Sequence, residues 1–423
     1  MKHCERCLYP ENHGLGLTFD SEGICSGCRI HEEKDVLDWR ERENELRRLV
    51  SEFQGQHESY DCVVPVQGTG DDFFVVNYLK EKLSLNPLLV TYNSHFNTKV
   101  GIRNLARLVS VTDCDHMMST VGPDTVRKIT RETLKLRGDM YWHVLAGNQT
   151  FPVQVAVKMK IPLIVWGVNG WLDQVGMYSH CDSVEMTKRA RYEHSLRALE
   201  TDTLALNSEQ LSEQDLVMYR YPEDHEIQKE GVRGIYLGNY VRWDSKAQVE
   251  LAIKNWGFET ALQERTYNTY ESIHCINNAS VHDYLKYLKL GYAKVNDHVA
   301  RDIRFGRMTK ETGIALINKY LPIKPRALST FLNWLNLSEA ELLSYINPFR
   351  DRRAWQLAEN GTWLPCAGSF GRLETGSWST RDQDLQIEPY EETPLMEEQT
   401  FSDQYILMGR TYLDSRNFRA VEG

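Results

Sequence analysis

Four of the nine cysteines fall within the first 28 residues, as two Cys-x-x-Cys pairs, Cys4/Cys7 and Cys25/Cys28. The gap between the pairs, residues 8–24, has the length found between the halves of a four-thiolate zinc site. Two residues between cysteines let both sulfurs reach one ion from a tight turn, and two such turns complete a tetrahedron. Gly23 and Gly27 flank the second pair and permit the turns. A closed set of four sulfurs leaves no open coordination position, so the expected role of the zinc is structural. Four independent thiols would not need two matching pairs, and a redox pair would not need the second one. The other five, Cys62, Cys114, Cys181, Cys275 and Cys366, are scattered singly and read as small core residues.

The second chemical feature is Val63-Val64-Pro65-Val66-Gln67-Gly68-Thr69-Gly70-Asp71-Asp72, followed by Phe73 and Phe74. An apolar strand runs into a glycine-rich turn and then a helix. Backbone N–H groups at such a helix start can hold an anion, and Gly68 and Gly70 would let a phosphate approach closely. The competing reading is an ordinary strand-to-helix turn with Asp71 or Asp72 as the N-cap. The segment is not a P-loop of the GxxxxGK[ST] type, because no Lys follows the second Gly. It is not GxGxxG either, because Phe73 holds the last position.

These residues need elements to hold them. Val36, Trp39, Leu46, Val50 and Phe53 recur at helical spacing, so residues 32–53 read as one amphipathic helix. Short apolar runs then alternate with helical patterns. The runs are Cys62–Val66, Pro87–Tyr92, His116–Ser119 and Ile161–Trp166, and the helical patterns cover 72–83, 99–110, 123–136 and 150–159. That alternation predicts a parallel sheet with crossover helices, and such sheets bind ligands at the carboxyl ends of their strands. From about residue 180 helical patterns dominate, including 245–255, 280–290, 309–320 and 338–346. After Arg350 the chain turns irregular, with acidic residues gathered at 388–398.

Composition narrows the function classes. In 423 residues, Lys+Arg count 49 and Asp+Glu 59, a net charge of −10, which is not the balance of a general nucleic-acid binder. No run of roughly 18 apolar residues is present, so no membrane span is expected. The start, Met1-Lys2-His3-Cys4, carries no apolar signal region, so a cytoplasmic protein with reduced cysteines is expected.

Several segments in order resemble the N-acetyl sugar amidotransferases of surface-polysaccharide and flagellar-sugar biosynthesis, within the PP-loop, or N-type ATP pyrophosphatase, superfamily. They include Cys4-Glu5-Arg6-Cys7, Leu85-Asn86-Pro87-Leu88-Leu89-Val90-Thr91, Asn97-Thr98-Lys99-Val100-Gly101, Ile161-Pro162-Leu163-Ile164-Val165-Trp166-Gly167, Tyr236-Leu237-Gly238-Asn239-Tyr240, His282-Asp283-Tyr284-Leu285-Lys286, and Asp302-Ile303-Arg304. The resemblance runs from Cys4 to about Phe349. It implies an α/β fold in five parts: a four-Cys zinc knuckle (1–31), a linker helix (32–58), a parallel-sheet PP-loop (HUP-like) domain (59–180), a mainly helical substrate or partner region (181–350) and an irregular appendage (351–423).

The activity implied by the resemblance is ATP- and Mg-dependent conversion of an N-acetyl group on a sugar or nucleotide sugar into an acetamidino group. A glutaminase subunit would supply the ammonia. Asp71 and His143 would be catalytic. Gln67, Gly68, Thr69, Gly70, Asp71, Asp72, Thr91 and Gly167 would meet the nucleotide. Tyr284, His298, Arg301, Asp302 and Arg304, from a cluster rich in Tyr, Lys and Arg, would meet the sugar, with His298 also able to serve as acid or base.

The chain departs from the family at the site itself. Where the PP-loop motif reads Ser-Gly-Gly-x-Asp-Ser, this chain keeps only Gly68 and Asp71, and Asp72 brings a carboxylate against a polyanion. Val144 and Leu145 stand where the family carries Cys-His, and Val168 stands where it carries Glu. These changes keep a second reading open, a catalytically degenerate paralogue acting as a partner or scaffold. A third reading, a tRNA-modifying PP-loop enzyme, is opposed by the net charge and by the lack of a Cys at Val144.

Overall fold

A computed structural model describes residues 1–56, 59–369 and 405–407. Five parallel strands form one sheet: β1 (Cys62–Pro65), β2 (Pro87–Tyr92), β3 (His116–Ser119), β4 (Leu163–Trp166) and β5 (Arg233–Tyr236), in the order β3-β2-β1-β4-β5. Register is set by pairs such as Val63↔Leu88, Val63↔Ile164 and Ile164↔Gly234. The order reverses beside β1, so the crevice at the carboxyl ends of β1 and β4 is the switch point where such sheets bind ligands.

The inner strands β1, β2 and β4 are covered on both faces, which is why they read as continuous apolar runs rather than alternating ones, while Met117 and Met118 on the edge strand β3 are exposed. Val64, Leu89, Leu163, Val165 and Ile235 pack with residues of α3 (Gly70–Asn77), α4 (Lys99–Thr112) and the helix Ser245–Trp256. Val63, Leu88, Val90 and Ile164 pack against Val153, Val155 and Ala156 of α6 (Trp142–Met159). The helix α5 (Pro123–Arg137) follows β3.

The four expected strands are present. The fifth, β5, lies inside the stretch 181–350 that was expected to be mainly helical, so the sheet draws on chain beyond residue 180. The single helix expected over 32–53 is two, α1 (Ser26–Val36) and α2 (Trp39–Ser51). Asp38 breaks it, because its carboxylate accepts from the Arg40 and Glu41 amides and starts a new helix. The irregular appendage includes a small antiparallel hairpin, Trp355–Leu357 with Trp363–Pro365. The acidic stretch 388–398 lies outside the described residues.

Among the described residues no helix is long and apolar enough to cross a membrane.

Candidate functional site

The loop between β1 and α3 is closed on itself. Gly68 has φ +76°, and a Cβ there would lie 2.7 Å from the Leu105 backbone nitrogen on α4. A Cβ on Gly70 would run into Val249. Both glycines are therefore demanded by the turn and its packing. Thr69 Oγ1 accepts from the Asp72 amide at 3.3 Å, and the Asp72 carboxylate accepts in return from the Gln67 and Thr69 amides at 2.7 and 2.8 Å. This is a capping box. Two of the amides that a phosphate would need are thus held by a resident carboxylate. Burial pushes the Asp72 pKa up, and the bonds from the loop amides pull against it.

Beside this loop a crevice of about 250 Å³ opens at the switch point, lined by Gln67, Asp71, Asp72, Tyr92, Gly167 and Trp243 among others. Asp71 and Val168 also line a second chamber of about 240 Å³. Asp71 is thus the charged residue at the junction. Its Oδ2 accepts from Ser245 Oγ at 3.1 Å, while Oδ1 is buried with no partner. Burial, and then the nearby Glu271 charge, push its pKa up to about 7.

That shift has a stability consequence with a definite sign. An acid whose pKa is raised from about 4 to about 7 by folding favours the native state while protonated, and that contribution is lost as pH rises through this window. Asp71→Asn is expected to leave stability nearly unchanged near pH 4. It should gain on the wild type as pH rises to 7, by at most a few kcal/mol at about 1.4 kcal/mol per pKa unit. Urea unfolding of both proteins across this range checks it.

The chamber is built by the C-terminal half. Arg301 grips Glu271 through both guanidinium nitrogens, with Nη2 to Oε2 at 3.0 Å. His298 Nε2 lies 3.3 Å from the same carboxylate, and Nδ1 lies 2.6 Å from Thr266 Oγ1. Burial opposes ionisation of Glu271, but Arg301 and His298 hold its carboxyl well below the usual range. Both ring nitrogens of His298 are thus engaged, one by Glu271 and one by Thr266. Lys34, which is buried, pairs with Asp173, and both line the chamber.

Several expected site residues lie elsewhere. His143 on α6 is buried in a network with Tyr92 (3.1 Å), whose hydroxyl also meets that of Tyr219 at 2.6 Å. Burial, with a smaller effect of His95, holds the imidazole well below its usual pKa, so it is a neutral core residue. Thr91 points to the other face of the sheet, where its hydroxyl donates to the Val66 carbonyl at 2.7 Å. Tyr284 lies under Arg265, 5.3 Å from guanidinium to ring, away from the chamber. Asp302 accepts from Tyr267 at 2.7 Å. Of the expected sugar residues, Arg301, His298 and Arg304 line the chamber. Glu271, Lys294, Ser245, Lys34 and Asp173 were not singled out from sequence. Glu271 sits in an irregular segment with no periodicity to mark it, and Lys34 and Asp173 meet only in three dimensions.

The Sγ atoms of Cys4, Cys7, Cys25 and Cys28 lie within 4.8 Å of one another, all buried. The amides of Arg6, Cys7 and Cys25 point at Cys4 Sγ at 3.3–3.5 Å. This donor set fits a tetrahedral thiolate-bound ion, and its second layer is already formed. Arg304 supplies part of that layer. Its Nη2 lies 3.5 Å from Cys25 Sγ and 3.7 Å from Cys7 Sγ, and its Nη1 donates to the Gln174 carbonyl at 2.8 Å. Its charge is thus directed at the thiolates, which leaves it a poor partner for sugar.

The crevice fits a hard cation and a weakened phosphate cradle. The orphaned Asp71 Oδ1 is the kind of oxygen that Mg²⁺ takes together with substrate phosphates. The amides of Gly70 and Asp71, in the first turn of α3, are outside those that Asp72 takes.

Residues 264–365 match the C-terminal domain of WbpG-like LPS biosynthesis proteins. An uncharacterised protein of Methanocaldococcus jannaschii is 22% identical over 115 residues, 27% of this chain and 41% of the relative. The chain therefore spans about two fifths of the length of that curated relative. Similar solved structures include NMN synthetase from Francisella tularensis, with 12% identity, 46% of this chain and 91% of that chain covered, and a TM-score of 0.26. The NH3-dependent NAD synthetase of Campylobacter jejuni has 14% identity, 46% and 95% coverage, and a TM-score of 0.26. The U34-tRNA thiolase NcsA of Methanococcus maripaludis has 13% identity, 72% and 86% coverage, and a TM-score of 0.28. At such TM-scores these likenesses are loose and carry no argument about this chain.

Proposed function

We propose that this chain is an ATP-dependent amidotransferase of LPS or related surface-polysaccharide biosynthesis. It converts the N-acetyl group of a sugar or nucleotide sugar into an acetamidino group. The observation that carries this reading is the position of Asp71. Its unpartnered carboxylate oxygen stands where the switch-point crevice meets a chamber walled by Glu271, Lys294, His298 and Arg301. Those four residues lie within the stretch similar to WbpG-like proteins.

In this reading the amide oxygen of the N-acetyl group attacks the α-phosphorus of ATP, and pyrophosphate leaves. Ammonia, supplied by a glutaminase partner, then adds to the activated carbon, and AMP departs with the oxygen. An amide oxygen is a poor leaving group, and transfer of the adenylyl group of ATP onto it lets it leave as AMP. Asp71 would hold Mg²⁺ through its unpartnered oxygen, and the ion would supply neutralisation of the phosphate charge. Glu271, fixed as a carboxylate by Arg301 and His298, accepts hydrogen bonds from sugar hydroxyls in the chamber.

The test is incubation of the full chain with Mg-ATP, an ammonium salt and a panel of N-acetyl sugars and UDP-N-acetyl sugars, followed by mass spectrometry. The mass change for replacing O by NH, with AMP released in step, supports the reading. AMP-free reactions and unchanged sugars across the panel would overturn it. They would favour a second reading, a non-catalytic partner protein, whose specific support is Asp72 seated on the loop amides.

We assign the four-cysteine site a structural zinc. One zinc per chain is expected, and Arg304→Gln is expected to speed its loss to a chelator severalfold, because removal of a second-layer partner typically costs about 10–100-fold in metal affinity. A chromogenic chelator assay reads this directly. An unchanged release rate would place Arg304 outside the metal's support.

A further inference from the structure

A third cavity, of about 620 Å³, adjoins the chamber and shares Gln174, Lys294 and Asp297 with it. Its volume is that of a site for a small organic molecule, roughly 300–1,000 Å³. It is lined by five cations, Arg137, Arg197, Lys286, Lys289 and Lys294, against three carboxylates. Two of the carboxylates are committed, Asp297 to Lys286 at 2.7 Å and Asp283 to Arg265 at 2.7 Å. Lys294 donates to the carbonyl and side chain of Asn278 at 2.7 and 2.9 Å.

Three cations remain. Among the described residues, neither Arg137, Arg197 nor Lys289 has a carboxylate within ion-pair distance; Arg197 donates only to the Gly14 carbonyl. Lys289 is half-buried, and Arg137 and Arg197 are exposed. Burial lowers the Lys289 pKa, the Asp139 charge opposes this, and Arg197 is near enough to lower it further. Like charges that line one cavity repel, and an anion seated among them offsets that repulsion.

A second, independent observation concerns the backbone. Arg197 and Ala198 both adopt positive φ, +48° and +62°. Two consecutive non-glycine residues in the left-handed region are strained, and such strain persists only where the surroundings enforce it. Here the segment lies between Leu196 and Leu199, which are both buried in the core, and Arg197 lines the cavity.

We propose that this cavity seats the diphosphate of a nucleoside-diphosphate sugar on Lys289, Arg197 and Arg137. The sugar then extends past Lys294 into the chamber that ends at Asp71. The orientation of the sugar rests on the amidotransferase reading, and the anion site does not.

The test is calorimetric titration of the full chain with UDP-N-acetylglucosamine, UDP, free N-acetylglucosamine and inorganic phosphate. Wild type, Lys289→Gln, Arg197→Gln and Lys289→Arg are compared, with thermal unfolding as the check on folding. The expected result is comparable binding of UDP-N-acetylglucosamine and UDP, weakened by rising salt. Each Gln variant should lose about tenfold to a hundredfold, and Lys289→Arg should restore most of the loss. Binding untouched by both Gln variants would overturn the site. Inorganic phosphate bound as tightly as UDP would overturn the nucleoside-diphosphate assignment. Loss of UDP binding in the variants, together with no amidine formation by the wild type, would support the site while the amidotransferase reading fails. Amidine formation on free sugars that UDP does not inhibit would overturn the site and leave that reading standing.

Discussion

Asp72→Ser is expected to tighten Mg-ATP binding by two to three orders of magnitude. The carboxylate now accepts from the Gln67 and Thr69 amides, at the point where phosphate oxygens would otherwise take them. A phosphate brought to about 4 Å from that charge, at an effective dielectric near 20, is repelled by roughly 4 kcal/mol. At 1.4 kcal/mol per decade this is close to a thousandfold. A serine removes the charge and frees both amides. The loss of half the capping box should cost about 1 kcal/mol of stability, because Thr69 still caps the helix from the other side. Asp72→Asn, which keeps the shape and removes the charge, should recover a good part of the gain. Titration calorimetry on the three proteins measures it. Equal affinities would mean that phosphates do not visit this loop.

The second large effect is on folding. Arg265 and Asp283 form an ion pair with side chains 1% and 0% exposed. The guanidinium also donates to the Leu321 and Ile323 carbonyls and lies over the Tyr284 ring, and Asp283 Oδ1 accepts from the Lys294 amide at 2.6 Å. Removing one partner of such a pair leaves an uncompensated buried charge, which costs about 3–5 kcal/mol. Asp283→Asn is therefore expected to lower stability by that amount, with a matching fall in the urea midpoint. Because the Asp283 contact also starts the helix Lys294–Arg304, which carries His298 and Arg301, the loss should extend to the chamber. A change below about 1 kcal/mol would show that the site is hydrated or relaxes around a neutral partner.

Much of the scaffold was legible in the sequence. Pro87–Tyr92 is a strand at the residues its apolar run indicates, because a parallel strand covered on both faces leaves an unbroken apolar signature. His116–Ser119 is a strand at the expected residues too, but as an edge strand it leaves Met117 and Met118 exposed. β5 was not legible. Arg233-Gly234-Ile235-Tyr236 carries one aliphatic side chain, and its place in the sheet depends on pairing with β4. The break between α1 and α2 was missed because helical periodicity runs across Leu37 and Asp38, and only the cap on Asp38 marks it.

The site was partly legible for similar reasons. The cysteine spacing alone located four sulfurs that the fold brings together. Asp72 stood out as a misplaced charge, and the structure gives it a partner set. Residue type alone could not tell which of the many Arg, Tyr and His residues are already committed to partners within the fold. Arg304 turns to thiolates, His143 to a tyrosine in the core, and Tyr284 to Arg265. Glu271 and Lys294, which do face the chamber, carry no motif.

The central claim is that the switch-point crevice takes Mg-ATP through Asp71. Its most direct test is a calorimetric titration of the zinc-loaded full chain with ATP, with and without Mg²⁺, beside Asp71→Ala. The account predicts saturable binding that requires Mg²⁺, is weak in the wild type because of Asp72, and is absent in Asp71→Ala. No heat at millimolar Mg-ATP from folded wild type and folded Asp72→Ser alike, or binding that survives in Asp71→Ala, would contradict it.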